Sequence, residues 1–260
     1  MIEDVSLADS TDGASLDDAT SDPPLDTPDA VWTRNESRVV CTFEEGLDQD
    51  VSARLLQDVR VPSTVDSRDG QCRTYNILEL PETRAGTLTV RIGSAAHSIL
   101  PDASRERFLY QGSFRSAATA GTRVQVDAQG SASFPPFSLF ESIPRSVEIT
   151  EPIARSELVW NPRTPIAIRW RRDGSTDSVQ IILLGRVSPT ESSFATVCTV
   201  PISDSEFVIS PSMLQRYDAL PQARRVDVYR IRAARGVFGN APVALEIRNE
   251  TQGRNWITFR

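Results

Sequence analysis

The sequence predicts an all-β chain of two antiparallel β-sandwich domains behind a disordered acidic leader. Three observations predict it: segments in which apolar and polar residues alternate strictly, Gly, Pro, Asp and Ser turns closely spaced between them, and an opening segment with no apolar periodicity. The chain has 260 residues, enough for two ordinary domains that each bury a core.

The leader comes first. Residues 1–36 are rich in Ser, Thr, Asp, Ala and Pro, with single apolar residues scattered among them. Such a composition cannot bury enough apolar surface to offset the entropy of ordering. Nine acidic and no basic residues fall within 1–30, so this segment carries −9 of a net −7 and leaves +2 to the rest. Self-repulsion makes it an extended spacer. Met1-Ile2-Glu3-Asp4 is acidic where a secretory n-region is basic, and the expectation is a mature chain whose export signal lay upstream. No run of apolar residues is long enough to predict a membrane-spanning helix.

The strands follow. Leu88, Val90 and Ile92 share one face against Thr87, Thr89 and Arg91, and Val124, Val126 and Ala128 share one against Arg123, Gln125 and Asp127. Ile166, Ile168 and Trp170 repeat the pattern, as do Val243, Leu245 and Ile247. One apolar and one polar face per strand predicts antiparallel sheets with a core side and a wet side. Further strands are expected at 38–43, 106–111, 177–185, 195–200, 205–209, 224–233 and 255–259. Within 225–233 the pattern reverses between Val228 and Tyr229; a bulge or a strand buried on both faces each accounts for it. Only Ser210–Tyr217 reads as a helix, with Ser210 as cap and Pro211 in the first turn. A Pro-rich break near Pro144–Arg155 divides the chain into sandwiches at 37–148 and 152–260, carrying −3 over 31–154 and +5 over 155–260.

Cys41 alternates with Val39 and Phe43 toward the first core, and Cys72 follows the Asp69-Gly70 turn, so the expected disulfide is Cys41–Cys72. Cys198 reads as a buried small hydrophobe. No C-x-x-C pair exists and His97 is the only histidine, so neither a zinc site nor any cofactor is expected. His97 lacks a G-x-S-x-G partner, and no catalytic residues are assigned. The carboxylates Glu44-Glu45 and Asp48–Asp50 leave open a carboxylate-dependent hydrolase, although a solvated turn accounts for them. All 28 basic residues are Arg and are spread through every strand; without a basic stripe, and with a −9 leader competing, nucleic acid is not an expected partner. Phe134, Phe137 and Phe140, in a Pro-interrupted segment, form a candidate contact loop or a plug at the end of the first sandwich.

The residues Ala85-Gly86-Thr87-Leu88-Thr89-Val90, Tyr110, Ala120–Ala128 and Phe134-Pro135-Pro136-Phe137, continued by Leu158-Val159-Trp160, Ile168-Arg169-Trp170, Asp177–Ile181, Cys198 and Phe207-Val208-Ile209, carry a resemblance. Over roughly 85–215 the chain resembles uncharacterised myxobacterial-type bacterial lipoproteins with tandem immunoglobulin-like sandwiches. The resemblance implies immunoglobulin/fibronectin-like domains, an extracytoplasmic location in the periplasm or on the outer surface, and a lipid anchor upstream of residue 1. It implies no activity. The function expected is a non-catalytic cell-envelope module, binding or structural, with a protein or glycan partner; the alternative is a subunit of a larger assembly joined through sheet edges.

Overall fold

The computed structural model of the chain describes residues 36–44, 48–55, 65–69, 71–76, 83–103, 110–115, 117–152, 157–159, 161–186, 193–218, 222–250 and 256–259. Apart from Glu36, the leader expected at 1–36 lies outside the described residues, as does part of the strand expected at 106–111.

Alternation builds the strands, and turn residues end them. In β5 (Leu88–Ile92), Leu88, Val90 and Ile92 are buried; Gly93, at φ +59°, turns the chain into β6 (Ala95–Ile99). These two strands join β8 (Arg123–Ala128) and β9 (Phe137–Ser142) in a four-stranded antiparallel sheet of order β6-β5-β8-β9. A three-stranded antiparallel sheet holds β12 (Ile166–Trp170) between β10 (Ile149–Glu151) and β15 (Glu206–Ile209). The expected helix is present as α1 (Pro211–Gln215), with the Ser210 side chain accepting from the Met213 N–H.

All other strands belong to one large sheet. Its members are β1 (Ser37–Glu44), β2 (Asp48–Arg54), β3 (Val65–Asp69), β4 (Cys72–Asn76), β7 (Tyr110–Arg115), β11 (Glu157–Leu158), β13 (Ser178–Arg186), β14 (Ser193–Pro201), β16 (Gln222–Phe238), β17 (Ala241–Glu250) and β18 (Trp256–Phe259). Its order is β3-β4-β14-β13-β16-β17-β1-β2-β7, with β18 beside β16 and β11 beside β18. Antiparallel pairing dominates, as expected, but β1 runs parallel to β17 and β11 parallel to β18.

The sheet backs two sandwiches. The four-stranded sheet packs on the β17-β1-β2-β7 half, with Tyr110, Leu88, Val126, Leu245 and Ile247 in the core between them. The three-stranded sheet and α1 pack on the β14-β13-β16 half around Trp170, Ile168, Leu183, Leu214 and Val226. The seventeen-residue β16 serves both: its first part pairs with β13 and β18, its second with β17.

Chain order does not partition the two cores. Hairpin β3–β4, from the amino-terminal half, pairs with β14 beside the second core, while β17 contributes Val243, Leu245 and Ile247 to the first. The division expected at 37–148 and 152–260 is therefore crossed in both directions. The cause is the length of β16, which carries the chain from one core to the other without a linker.

Candidate functional site

The described residues bring together three polar features, and the sequence drew attention to parts of each. The first is the disulfide, which joins Cys72 to Cys198 and not Cys72 to Cys41. Pairing β4 with β14 sets Cys72 directly opposite Cys198, whereas Cys41 lies on β1 in the first core as a buried thiol. Burial pushes the Cys41 thiol up to about 12, which keeps it protonated and unreactive at neutral pH. The reading of Cys198 as a core residue holds for its burial, not for its chemistry.

The second feature is the outer face of the four-stranded sheet. Phe134 and Phe137 are buried in the first core, where Phe137 packs on Phe238 at 5.7 Å. Of the expected contact loop only Phe140 is exposed, at 55%, because it points outward from β9, on the face opposite the inward Phe137 and Leu139. The Arg123 guanidinium lies 3.8 Å from the Phe140 ring centroid. Beside this pair Asp127 accepts hydrogen bonds from Gln125 Nε2 (2.9 Å) and Ser138 Oγ (2.6 Å) and pairs with Arg91. Cross-strand register places these groups on one plane: Arg91 opposite Gln125, Gln125 opposite Phe140, Asp127 opposite Ser138. The result is a flat, ordered array of donors, acceptors and one ring, with no carboxylate paired to Arg123 among the described residues.

The third feature lies between the two cores. On the core-facing side of β16, Arg230 and Arg232 separate Val226 and Val228 of the second core from Ala234 and Phe238 beside the first. Arg230 donates from Nε to Asp177 (2.5 Å), from Nη1 and Nη2 to Asp173 (2.7 and 3.2 Å), and from Nη2 to Ser175 Oγ (2.6 Å). Arg232 Nε donates to the other oxygen of Asp177 (2.5 Å), and its Nη1 reaches Ser142 Oγ at the end of β9. Asn249 Nδ2 donates to the Pro144 carbonyl at 2.7 Å nearby. Hydrogen bonding from Arg230 holds the Asp173 carboxyl down to about 2.

The opposite face of the large sheet also buries charge. Glu246 is buried between Arg248 (2.6 Å) and Arg38 (3.8 Å); desolvation pushes its carboxyl up, but the two guanidiniums outweigh this and hold it below its ordinary value. The wet face expected of β17 is thus a covered one.

His97 lies on β6 with its ring stacked on Phe114 at 4.2 Å, closing one side of the first sandwich. Glu44 ends β1, Asp48 and Asp50 lie on β2, and the residues 45–47 between the two strands, Glu45 among them, lie outside the described residues. Asp173 and Asp177, the carboxylates that the fold does bring together, are bridged by a guanidinium instead of facing one another. Among the described residues no group of three or more His, Cys, Asp or Glu is placed to hold a metal ion. No helix among them is long and apolar enough to cross a membrane.

No protein-family model matches the chain, and no curated protein matches it. Among solved structures it is similar to the FN1–FN3 domains of chicken CNTN1, with 9% identity over 83% of this chain and 65% of that one and a TM-score of 0.26. It is also similar to a Ca2+-stabilized, ice-binding adhesin of an Antarctic bacterium (12% identity, 84% of this chain and 50% of that one, TM-score 0.23). A third is a 1.5-MDa bacterial ice-binding adhesin (12% identity, 84% and 65%, TM-score 0.21). The chain spans 50–65% of the length of these structures. The sandwich assignment rests on the strand pairings themselves.

Proposed function

We propose that the chain is a non-catalytic, extracytoplasmic module of the cell envelope that displays a rigid surface to a protein or glycan partner. The location is supported by the Cys72–Cys198 disulfide, because such bonds persist in oxidising compartments and are rare in a reducing cytosol. The acidic segment 1–30 suits a spacer from a lipid anchor of the kind the lipoprotein resemblance implies.

The observation that carries the binding reading is the outer face of the four-stranded sheet. There Arg91, Gln125, Asp127 and Ser138 hold one another in place beside the Arg123–Phe140 stack. Groups fixed before contact lose little freedom on binding, and an aromatic–Arg pair is the composition that concentrates interface energy. The test is retention of the protein on immobilised envelope polysaccharide and envelope protein, comparing wild type with the Arg123→Ala/Phe140→Ala double variant. Retention lost in the variant supports this face; equal retention of both removes it. Trapping thiols in the producing cell tests the location separately, since alkylation of Cys72 and Cys198 there would place the chain in a reducing compartment.

A further inference from the structure

The Asp173-Gly174-Ser175-Thr176-Asp177 turn supplies side-chain oxygens from alternate residues, and Asp173, Ser175 and Asp177 all aim at one point. The group at that point is the Arg230 guanidinium, every nitrogen of which is engaged. Its side chain is 4% exposed, and that of Asp177 2%. Hard oxygen ligands converging from a tight turn on a single positive centre is also how proteins hold a divalent cation.

We propose that this turn is a cation cradle whose resident cation is the chain's own Arg230, so that the two cores are locked together without a metal ion. The charges balance: two carboxylates, Asp173 and Asp177, meet two guanidiniums, Arg230 and Arg232. The geometry explains why a side chain suits the position. Arg230 is rooted in β16, between Val179 of β13 and Asn249 of β17, so its fork arrives already aimed. Arg232, two residues on, carries the link to Ser142 of the four-stranded sheet. The cradle thus joins the β12–β13 turn of one sandwich to β9 of the other through a single strand. A tethered guanidinium cannot be chelated or diluted away, whereas a bound ion can.

Removing Arg230 leaves the buried carboxylate of Asp177 and the partly exposed one of Asp173 short of one positive charge, around a space lined by their oxygens and Ser175. A hard divalent cation with its waters fits that demand. With few protein ligands and Arg232 still present, its dissociation constant falls on the order of 10⁻⁴–10⁻³ M, the range of weak extracellular calcium modules.

The experiment is thermal unfolding of wild type, Arg230→Gln, and Arg230→Gln combined with Asp173→Asn and Asp177→Asn, each in EDTA and in millimolar calcium chloride. Wild type should melt at the same temperature in both. Arg230→Gln should melt roughly 10 °C lower in EDTA and recover several degrees in calcium, and the triple variant should show no recovery. If Arg230→Gln does not fold in EDTA, refolding it with and without calcium asks the same question. Overturning results are a wild-type melting temperature that falls in EDTA, an Arg230→Gln variant as stable as wild type, or a destabilised variant that calcium does not help.

Discussion

Replacing Trp170 by Ala should cost roughly 3.5–6 kcal/mol, and the structure separates that figure into two parts. The ring is 3% exposed, on the inward side of β12 with Ile168, and its removal empties a core site at about 3–5 kcal/mol. The indole Nε1–H also donates to the Ile202 carbonyl at 2.9 Å, in a buried position. Losing that bond adds on the order of 0.5–1 kcal/mol, the low end of its range. It stays low because the Ser205 N–H also reaches the same oxygen, at 3.4 Å, so the carbonyl is not orphaned. Trp170→Phe keeps most of the ring's packing and loses the donor, and should cost about 1–2 kcal/mol. Urea denaturation followed by far-ultraviolet circular dichroism measures both, and an unchanged slope with a lowered midpoint is the expected pattern. Because β16 runs through both cores, the loss should appear in one transition instead of an early partial one. An unchanged midpoint for Trp170→Ala would refute the core placement, and a two-step curve would refute the coupling.

Tyr110→Phe should destabilise by about 1–3 kcal/mol in the same assay, because the fully buried hydroxyl accepts from the Ala85 N–H (2.8 Å) and donates to the Gly86 carbonyl (2.7 Å). Alkylation of unreduced, denatured protein should label Cys41 alone, and the Cys72→Ala/Cys198→Ala variant should lose roughly 3–5 kcal/mol, measured by its denaturation midpoint. Alkaline unfolding should report Cys41: the unfolded thiol ionises near 9.0 and the buried one near about 12, so its stabilisation is complete below pH 9 and is lost as pH rises toward 12. Cys41→Val should flatten the stability profile across that window, and an identical profile would sink the assignment.

The one-faced strands were legible because their partners lie close in sequence. Leu88, Val90 and Ile92 of β5 face inward, and β5 pairs with β6 across a turn that Gly93 announces. Alternation drew β5 and β8 of the four-stranded sheet, whereas β6, whose outward Ala95 and Ala96 break the period, and β9, which opens in the Pro-interrupted segment read as a contact loop or plug, were not expected as strands. The large sheet could not be drawn this way, since its pairings join distant segments and no periodicity encodes a partner. The disulfide was missed for that reason: Cys72 meets Cys198 only because β4 docks on β14. In β16 the register with β13 runs without a shift from Val226 to Ile231, so the reversal at Val228–Tyr229 is a strand buried on both faces. Arg230 and Arg232 occupy inward positions there, and two charges in an inward row read as a wet face. The exposed array around Asp127 left little trace in the sequence, because Thr89, Arg91, Gln125 and Ser138 are ordinary outward residues until register aligns them.

The parallel pairing of β1 with β17 has a temporal consequence. Val39 lies beside Leu245 and Cys41 beside Ile247, separations of 206 residues in each case. A polypeptide is made from its amino terminus, at a pace of about 5–20 residues per second, so β1 waits on the order of ten seconds or more for its neighbour. Until residues 241–250 have been synthesised, Val39 and Cys41 have no inner wall to pack against on that side. Pairings this remote also slow the search for the native arrangement once synthesis is complete. A nascent chain of this topology therefore keeps its earliest strands unsealed until its synthesis is nearly complete.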